Sequence, residues 1–205
     1  MFCKEEVAMH PWKHFKTITR HKWMVMVYCF RVGLYRQRIF HDLSKYSPVE
    51  FLVGCRYYQG YRSPNNGERE ERGLSTAWLH HKGRNKHHFE YWVDYALGAD
   101  TVIAGAPMPR RYIAEMVMDR ISACRNYSGD TYTDAAPLEY YLKNKDRLWF
   151  MHKDTKRELE GLLRMLSEKG EERTFAYIRR VYLPADERKR RRKKLLAESD
   201  KFTKG

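Results

Sequence analysis

Apolar side chains recur at helical spacing over residues 12–32, on a stripe made of Phe15, Ile18, Val25 and Cys29. Two histidines, His14 and His21, share the line that joins Ile18 to Val25. Gly33 follows this run, and glycine is the usual residue just beyond a helix end. The pattern therefore predicts a first helix that turns histidines toward the interior.

The next 20 residues predict two shorter helices. Residues 34–45 form the first and carry His41 and Asp42. The second begins at Ser47, where serine can cap the helix, Pro48 suits its first turn and Glu50 completes a capping box. This assignment gives Ser47, Pro48 and Glu50 structural roles only.

The middle of the chain is more polar. Residues 62–73 predict an exposed loop that runs into a charged helical turn. After it we expect a short helix that ends at His81, a turn over residues 83–85, and a helix capped by Asn85 and closed by Gly98.

Helical spacing returns in the last third of the chain. An apolar arc over residues 110–127 predicts a long helix with Asp119 at the edge of the arc. Further helices are predicted at 137–151, 153–168 and 171–182. No segment alternates convincingly as a strand, so the sequence predicts an all-α fold, a helical bundle followed by a basic tail.

Composition and charge refine this picture. The 205 residues are 42% hydrophobic and carry a formal net charge of +14, so the chain has enough apolar material for one packed core. We expect a helical domain over 1–183, with a metal-site core at about 10–140 and additional helices over 137–183. The basic segment 184–205 is expected to be a flexible or helical tail that contacts nucleic acid nonspecifically.

The cysteines and the N-terminal residues indicate the cellular compartment of the protein. The four cysteines are widely separated and form no CxxC pair, which is typical of reduced side chains. The N-terminal residues lack the apolar run of a signal peptide, and the longest apolar stretch, 23–30, is too short to span a bilayer. We therefore expect a cytoplasmic protein with no membrane span.

Imidazole and carboxylate groups recur on the predicted helices. His41 is followed directly by Asp42, His21 lies on the inward stripe of the first helix, and Asp119 lies on a later one. This set suits one or two divalent ions such as Mn, Fe, Co, Zn or Ni. His14, two turns from His21, is the reserve candidate. A structural histidine hydrogen-bonded near a helix end is the alternative for His41.

Four more histidines lie within nine residues, at His80, His81, His87 and His88. A turn near Gly83 would bring the two pairs together, so that one histidine from each pair could complete a second metal centre. His81 and His88 are the preferred choices. The alternative is a basic surface turn that binds no metal.

The motifs resemble those of the HD superfamily of metal-dependent phosphohydrolases. The matching residues are His21, the pair His41 and Asp42, and Asp119, and HDLSK is similar to the HDxGK form with Ser44 in place of glycine. The resemblance implies that Asp42 bridges two metals and that Lys45 faces a substrate phosphate. The strings HDLSKYSPVEF and HHKGRNKHHFEYW also resemble an uncharacterised bacterial family, a domain of unknown function, over about residues 10–140.

The resemblance to the HD superfamily implies a hydrolase of a nucleotide or other small phosphate ester. Asp42, Lys45 and Glu115 are the candidate catalytic residues, although for Glu115 the preferred interpretation is an exposed ion pair with Arg111 or Arg120. The cations expected to bind the anionic substrate are Lys45, Lys82, Arg84 and Lys86. Two alternatives remain: an HD-type di-iron oxygenase, and a noncatalytic module that binds nucleic acid.

Overall fold

The computed structural model describes residues 9–97 and 101–188, and the fold is all-α apart from one small sheet. The α-helices are α1 (Pro11–Val32), α2 (Gln37–Phe40), α3 (Pro48–Arg56), α4 (Pro64–Arg72), α5 (Thr76–Arg84), α6 (Arg110–Ser128), α7 (Ala136–Asn144) and α8 (Lys153–Tyr177). Strands β1 (Val93–Tyr95) and β2 (Ile103–Gly105) pair antiparallel. The predicted fold class is confirmed.

Helix α1 ends as its sequence predicts and begins at Pro11, one residue before the predicted range. Pro11 occupies the first turn, and Gly33 follows the helix in the left-handed conformation, with φ 87°. The stripe that contains His14, Ile18, His21 and Val25 is buried. Phe15, assigned to the apolar face by its spacing, is instead partly exposed beside Tyr46.

The core lies where α6 packs against α1 and α8. Helix α6 contributes Ile113, Val117 and Ile121, all nearly or fully buried. Its observed range agrees with the predicted 110–127. Because α1 and α6 are neighbours here, histidines on one helix and carboxylates on the other can meet.

The C-terminal helices follow the predicted order with shifted ends. Gly170 interrupts α8 with φ 77° and ψ 171°, a conformation essentially restricted to glycine. This break lies between the predicted helices 153–168 and 171–182. A π-helical turn, Ile178–Tyr182, and a helical segment over 183–188 follow. Helix α7 ends earlier than predicted and continues as a 3-10 turn, Lys145–Leu148.

Two predictions in the middle of the chain are wrong. Residues 62–73 are mostly helical, because α4 packs on α3 and buries Glu68, which accepts hydrogen bonds from Ser75 and Thr76. The described residues 86–97 contain no α-helix, because Asn85 ends α5 rather than starting another helix. A 3-10 turn (Phe89–Trp92) and β1 occupy that segment.

Tertiary packing also explains why β2 forms where it does. A Cβ atom on Gly105 in β2 would come within 2.3 Å of the carbonyl oxygen of Phe150, so the strand lies directly against the chain before α8. Gly98, the predicted end of the missing helix, lies outside the described residues, as does most of the predicted tail, 189–205. In the described part of the chain, no helix is long and apolar enough to cross a membrane.

Candidate metal centre

The pair His41 and Asp42 lies in a turn and not on a helix. Helix α2 ends at Phe40, and a 3-10 turn, Leu43–Tyr46, begins after Asp42. Asp42 has φ 53° and ψ 24°, a left-handed conformation that aspartate tolerates better than most residues. The predicted helix over 34–45 is therefore broken at these two residues. Both side chains are buried, each with about 1% of its surface exposed.

The first group of candidate ligands joins three parts of the chain. His21 from α1, His41 and Asp42 from the turn, and Asp119 from α6 each offer one atom, and these atoms lie within 4.8 Å of one another. His21 Nε2 lies 3.0 Å from Asp119 Oδ1 and 3.6 Å from Asp42 Oδ2. The structure thus brings together the set that the sequence predicted.

A second group contains Asp42 again, with His81 from α5 and His87 and His88 from the turn that follows. The Nε2 atoms of His81 and His87 lie 3.2 Å and 3.4 Å from Asp42 Oδ1. His88 Nε2 lies 2.9 Å from His81 Nε2. Asp42 is the residue that the two groups share.

From the sequence we expected one histidine from each pair in the second group, but the structure places three histidines there. His81 and His88 do come together, but His87 joins them, since the turn after α5 lets both neighbouring imidazoles face inward. His80 belongs to neither group. It lies on the continuous helix α5, about 100° around the axis from His81, and its Nδ1 contacts Glu50 instead.

Several buried atoms at the centre make no well-aligned hydrogen bond within the described residues, although Asp42 Oδ1 lies 3.2 Å and 3.4 Å from two imidazole nitrogens. They include His41 Nε2, His87 Nε2 and Asp42 Oδ1. An unsatisfied buried polar atom costs about 1–3 kcal/mol, and these three converge on the candidate ligand groups. Bound cations would satisfy them, so the donor set fits a metal site.

Asp42, Asp119 and His88 are held in the protonation states that bind cations. Burial alone would raise the pKa of Asp42, but His41 and Lys45 hold that pKa well below its usual range. Burial would also raise the pKa of Asp119, but His21 and His41 hold that pKa well below its usual range. Burial, with His87 and His81 nearby, holds the pKa of His88 well below its usual value. Ionised carboxylates and neutral imidazoles are the forms that bind metals. Burial would lower the pKa values of His41 and His81, but Asp42 raises both, so these two imidazoles would release a proton when they bind a metal.

Glu115 supports both groups from behind. This buried carboxylate lies 3.0 Å from His41 Nδ1 and 3.3 Å from His87 Nδ1, one histidine of each group. Burial would raise its pKa, but His41 and His87 lower it, so the carboxylate is ionised. The expectation of an exposed ion pair with an arginine is wrong. A carboxylate behind a histidine orients the ring and its tautomer.

Glu50 is the residue that the sequence assignment missed. Its carboxylate contacts His80 Nδ1 at 2.6 Å and His81 Nδ1 at 2.8 Å. The predicted capping box is absent, because Ser47 makes no side-chain cap hydrogen bond. The spacing of Ser47 and Glu50 is a local capping signal, whereas the contact with α5 depends on tertiary packing.

One candidate substrate-binding cation touches the centre. Lys45 Nζ lies 2.5 Å from Asp42 Oδ2, and although burial opposes the charge, Asp42 and Asp119 raise the pKa of the ammonium group. Arg84 and Lys86 are exposed: Arg84 donates to the His80 carbonyl, and Lys86 lies over the Tyr91 ring. Lys82 is half-buried.

A protein-family comparison identifies one match. The sequence model of a family of unknown function, DUF5662, matches residues 10–165, which include α1 to α7 and both candidate ligand groups. Searches of curated proteins and of solved structures find no match. Because the match covers most of the chain, this protein belongs to the family of unknown function DUF5662.

Proposed function

We propose that this protein is a metal-dependent phosphohydrolase that acts on a nucleotide or other small phosphate ester, as a phosphomonoesterase or a phosphodiesterase. The observation that carries the proposal is the sharing of Asp42 between two ligand groups, with Lys45 Nζ 2.5 Å from the same carboxylate. A carboxylate shared by two adjacent cation sites and flanked by a lysine suits a phosphoryl substrate.

The proposed ligands fall into two sets. The first consists of His21, His41, Asp42 and Asp119, and the second of Asp42, His81, His87 and His88. Imidazole and carboxylate donors accept Mn, Fe, Co, Zn or Ni, so one or two divalent ions of this class are proposed as cofactors. When bound, such ions polarise a phosphoryl oxygen and lower the pKa of nearby water.

The side chains around the ligands would have different roles in catalysis and substrate binding. Lys45 carries a positive charge at the edge of the shared carboxylate, where it can bind a phosphate oxygen. Glu115 would act through His41 and His87, whose rings it holds. Lys82, Arg84 and Lys86, on and just after α5, would draw the anionic substrate toward the centre.

The order of the ligands along the chain supports the same proposal. A helical histidine, a His-Asp pair, histidines in the middle and a distant aspartate resemble the arrangement of dinuclear HD-superfamily enzymes. On this reading the metal-site core forms one domain with the later helices, and 184–205 is a separate tail.

The test begins with metal analysis of protein purified without chelator, followed by assays on p-nitrophenyl phosphate and bis-p-nitrophenyl phosphate. Asp42→Asn is the decisive variant, because asparagine tolerates the left-handed backbone but loses the charge. We expect at least about 100-fold slower phosphate release in Asp42→Asn. The exposed control Asp130→Asn should be unchanged. Metal-free wild-type protein, or equal rates in both variants, would reject the proposal.

A second candidate, an HD-type di-iron oxygenase, is favoured by one observation. The second ligand group contains three histidines beside the shared aspartate, a nitrogen-rich set that suits iron. The purified protein would then contain two irons and consume oxygen in the presence of a polyol or a phosphonate. Phosphate release that depends on Mn or Co, without oxygen uptake, would reject this alternative.

A further inference from the structure

The outer face of α1 carries large apolar side chains that the core does not use. Trp12 and Trp23 are 64% and 62% exposed, and Val27 lies on the same side of the helix. This face is opposite the buried stripe of His14, Ile18, His21 and Val25. Helix α1 therefore carries large apolar side chains on two sides, although only one side packs in the domain.

Two further apolar residues lie beside this face. Ile39 and Phe40 are 53% and 65% exposed at the end of α2, which packs on α1. Lys22 on α1 links the helix to the end of α2, since its ammonium group donates hydrogen bonds to the carbonyl oxygens of Ile39 and His41 at 3.0 Å and 2.6 Å. We call the five residues Trp12, Trp23, Val27, Ile39 and Phe40 the α1 surface.

The chain segment that carries the α1 surface is basic. Residues 9–41 contain seven Lys and Arg residues and no Asp or Glu. Lys16 and Arg20 are exposed on the helix between the two tryptophans, and the Lys16 ammonium lies 5.1 Å from the Trp12 ring centroid. Arg31, near the far end of α1, pairs with Glu171 and Glu172 from α8. An occupant of the α1 surface must therefore be anionic and must also accept apolar side chains.

We propose that the α1 surface docks on an anionic lipid membrane. Tryptophan prefers the boundary between lipid headgroups and acyl chains, aliphatic side chains such as Val27 and Ile39 enter the apolar side, and lysine and arginine pair with lipid phosphates. A nucleic acid would stack on the aromatic rings but would leave the aliphatic side chains against water. Docking requires no unfolding, because the other side of α1 stays packed in the core.

Vesicle cosedimentation of the full chain tests the proposal. We expect binding to vesicles of phosphatidylcholine with 30% phosphatidylserine, weakened by salt, and little binding to phosphatidylcholine alone. Neutralising two membrane-facing cations with Lys16→Gln/Arg20→Gln should weaken binding about 30-fold, at about 1 kcal/mol per cation. Trp23→Ser/Phe40→Ser should also weaken it at least about tenfold.

The matched control is Trp149→Ser, which removes a tryptophan that is 59% exposed outside α1. This variant should bind vesicles like the wild type. Circular dichroism and thermal unfolding would show that every variant is folded. Equal binding to both vesicle types by the wild type, or undiminished binding by both double variants, would overturn the proposal, the second result pointing to the basic tail instead. A dimer, or a complex with single-stranded RNA, that is lost in the same variants while vesicles do not bind would also overturn it.

Discussion

At the scale of single residues, Asp42 determines the geometry of the centre. Its left-handed backbone reverses the chain between α2 and the next 3-10 turn, and its two oxygens face different groups of histidines. A residue other than glycine in this conformation costs about 1–2 kcal/mol, and such strain concentrates at functional sites. A helical His-Asp pair, as first predicted, would point its side chains about 100° apart and could not place both inward so closely.

Substitutions of the two glutamates behind the candidate ligands, Glu115 and Glu50, should have different effects on metal binding. Glu115 contacts one histidine of each group, whereas Glu50 contacts a candidate ligand of the second group only, His81. Losing a carboxylate behind a ligand typically weakens metal affinity 10- to 100-fold. Titration calorimetry should show both sites weakened by about that factor in Glu115→Gln, but only one in Glu50→Gln.

The control for this comparison is Glu160→Gln, which removes a carboxylate that pairs with Lys145 and Arg164 far along the chain. Its metal affinities should equal those of the wild type. Identical binding by Glu115→Gln and Glu160→Gln would contradict the positioning role of Glu115.

Because His14 is buried, we expect its protonation to destabilise the folded protein in acid. Burial, with a smaller contribution from Lys45, lowers its pKa from 6.5 to about 4, and its ring packs near Phe51 and Tyr58. The unfolded chain therefore binds more protons between pH 6.5 and 4. The contribution of His14 is fully present above pH 6.5 and is lost as pH falls toward 4, by on the order of 3 kcal/mol in total.

Urea unfolding at pH 7 and pH 5 would measure this contribution. Between these values the free energy of unfolding of the wild type should fall by about 2 kcal/mol more than that of His14→Leu, which cannot titrate at this position. Other histidines titrate in both proteins and cancel in the difference. Parallel curves for the two proteins would show that His14 is not the acid-sensitive group.

At the scale of helices, the contact between α1 and α3 depends on a missing side chain. A Cβ atom on Gly54 in α3 would lie 2.0 Å from Nε2 of the buried His14. Only glycine lets the two helices approach this closely. Because α1 carries His21 and α3 carries Glu50, this contact also sets the position of two elements of the centre.

A matched pair of alanine substitutions tests the helix contact. Gly54→Ala should lower the free energy of unfolding by about 1–3 kcal/mol, because the His14 ring must move within the packed interior. Gly161→Ala in α8 meets no atom within 4 Å and should raise that free energy by about 0.5–1 kcal/mol, through helix propensity. Thermal or urea unfolding measures both. A neutral Gly54→Ala would mean that α1 and α3 separate easily.

At the scale of the whole molecule, the candidate ligands come from segments distant in sequence. They lie on α1, in the turn after α2, on and after α5, and on α6. Cations bound at both groups would link these segments, so metal binding should stabilise the entire domain.

Metal removal tests this coupling. Ligand at 100 times its Kd contributes about 2.7 kcal/mol, which for a domain of this size corresponds to about 5–10 °C in Tm. Dialysis against EDTA should lower the Tm of the wild type by that amount, and added Mn or Zn should restore it. The Tm of Asp42→Asn should respond to neither treatment. An EDTA-insensitive Tm in a protein shown to contain metal would contradict the coupling.

The sequence by itself determined the helical class, the limits of α1 and α6, the break near Gly170, and the identity of most histidines and carboxylates at the centre. Periodicity and the glycine that follows α1, Gly33, are local signals, and tertiary packing did not override them. Only the tertiary structure decided that Asp42 joins both groups, that His80 turns away and that Glu50 holds His81. These facts depend on how α3, α5 and α6 pack around one turn, and contacts between residues far apart in the chain leave no periodic signal in it.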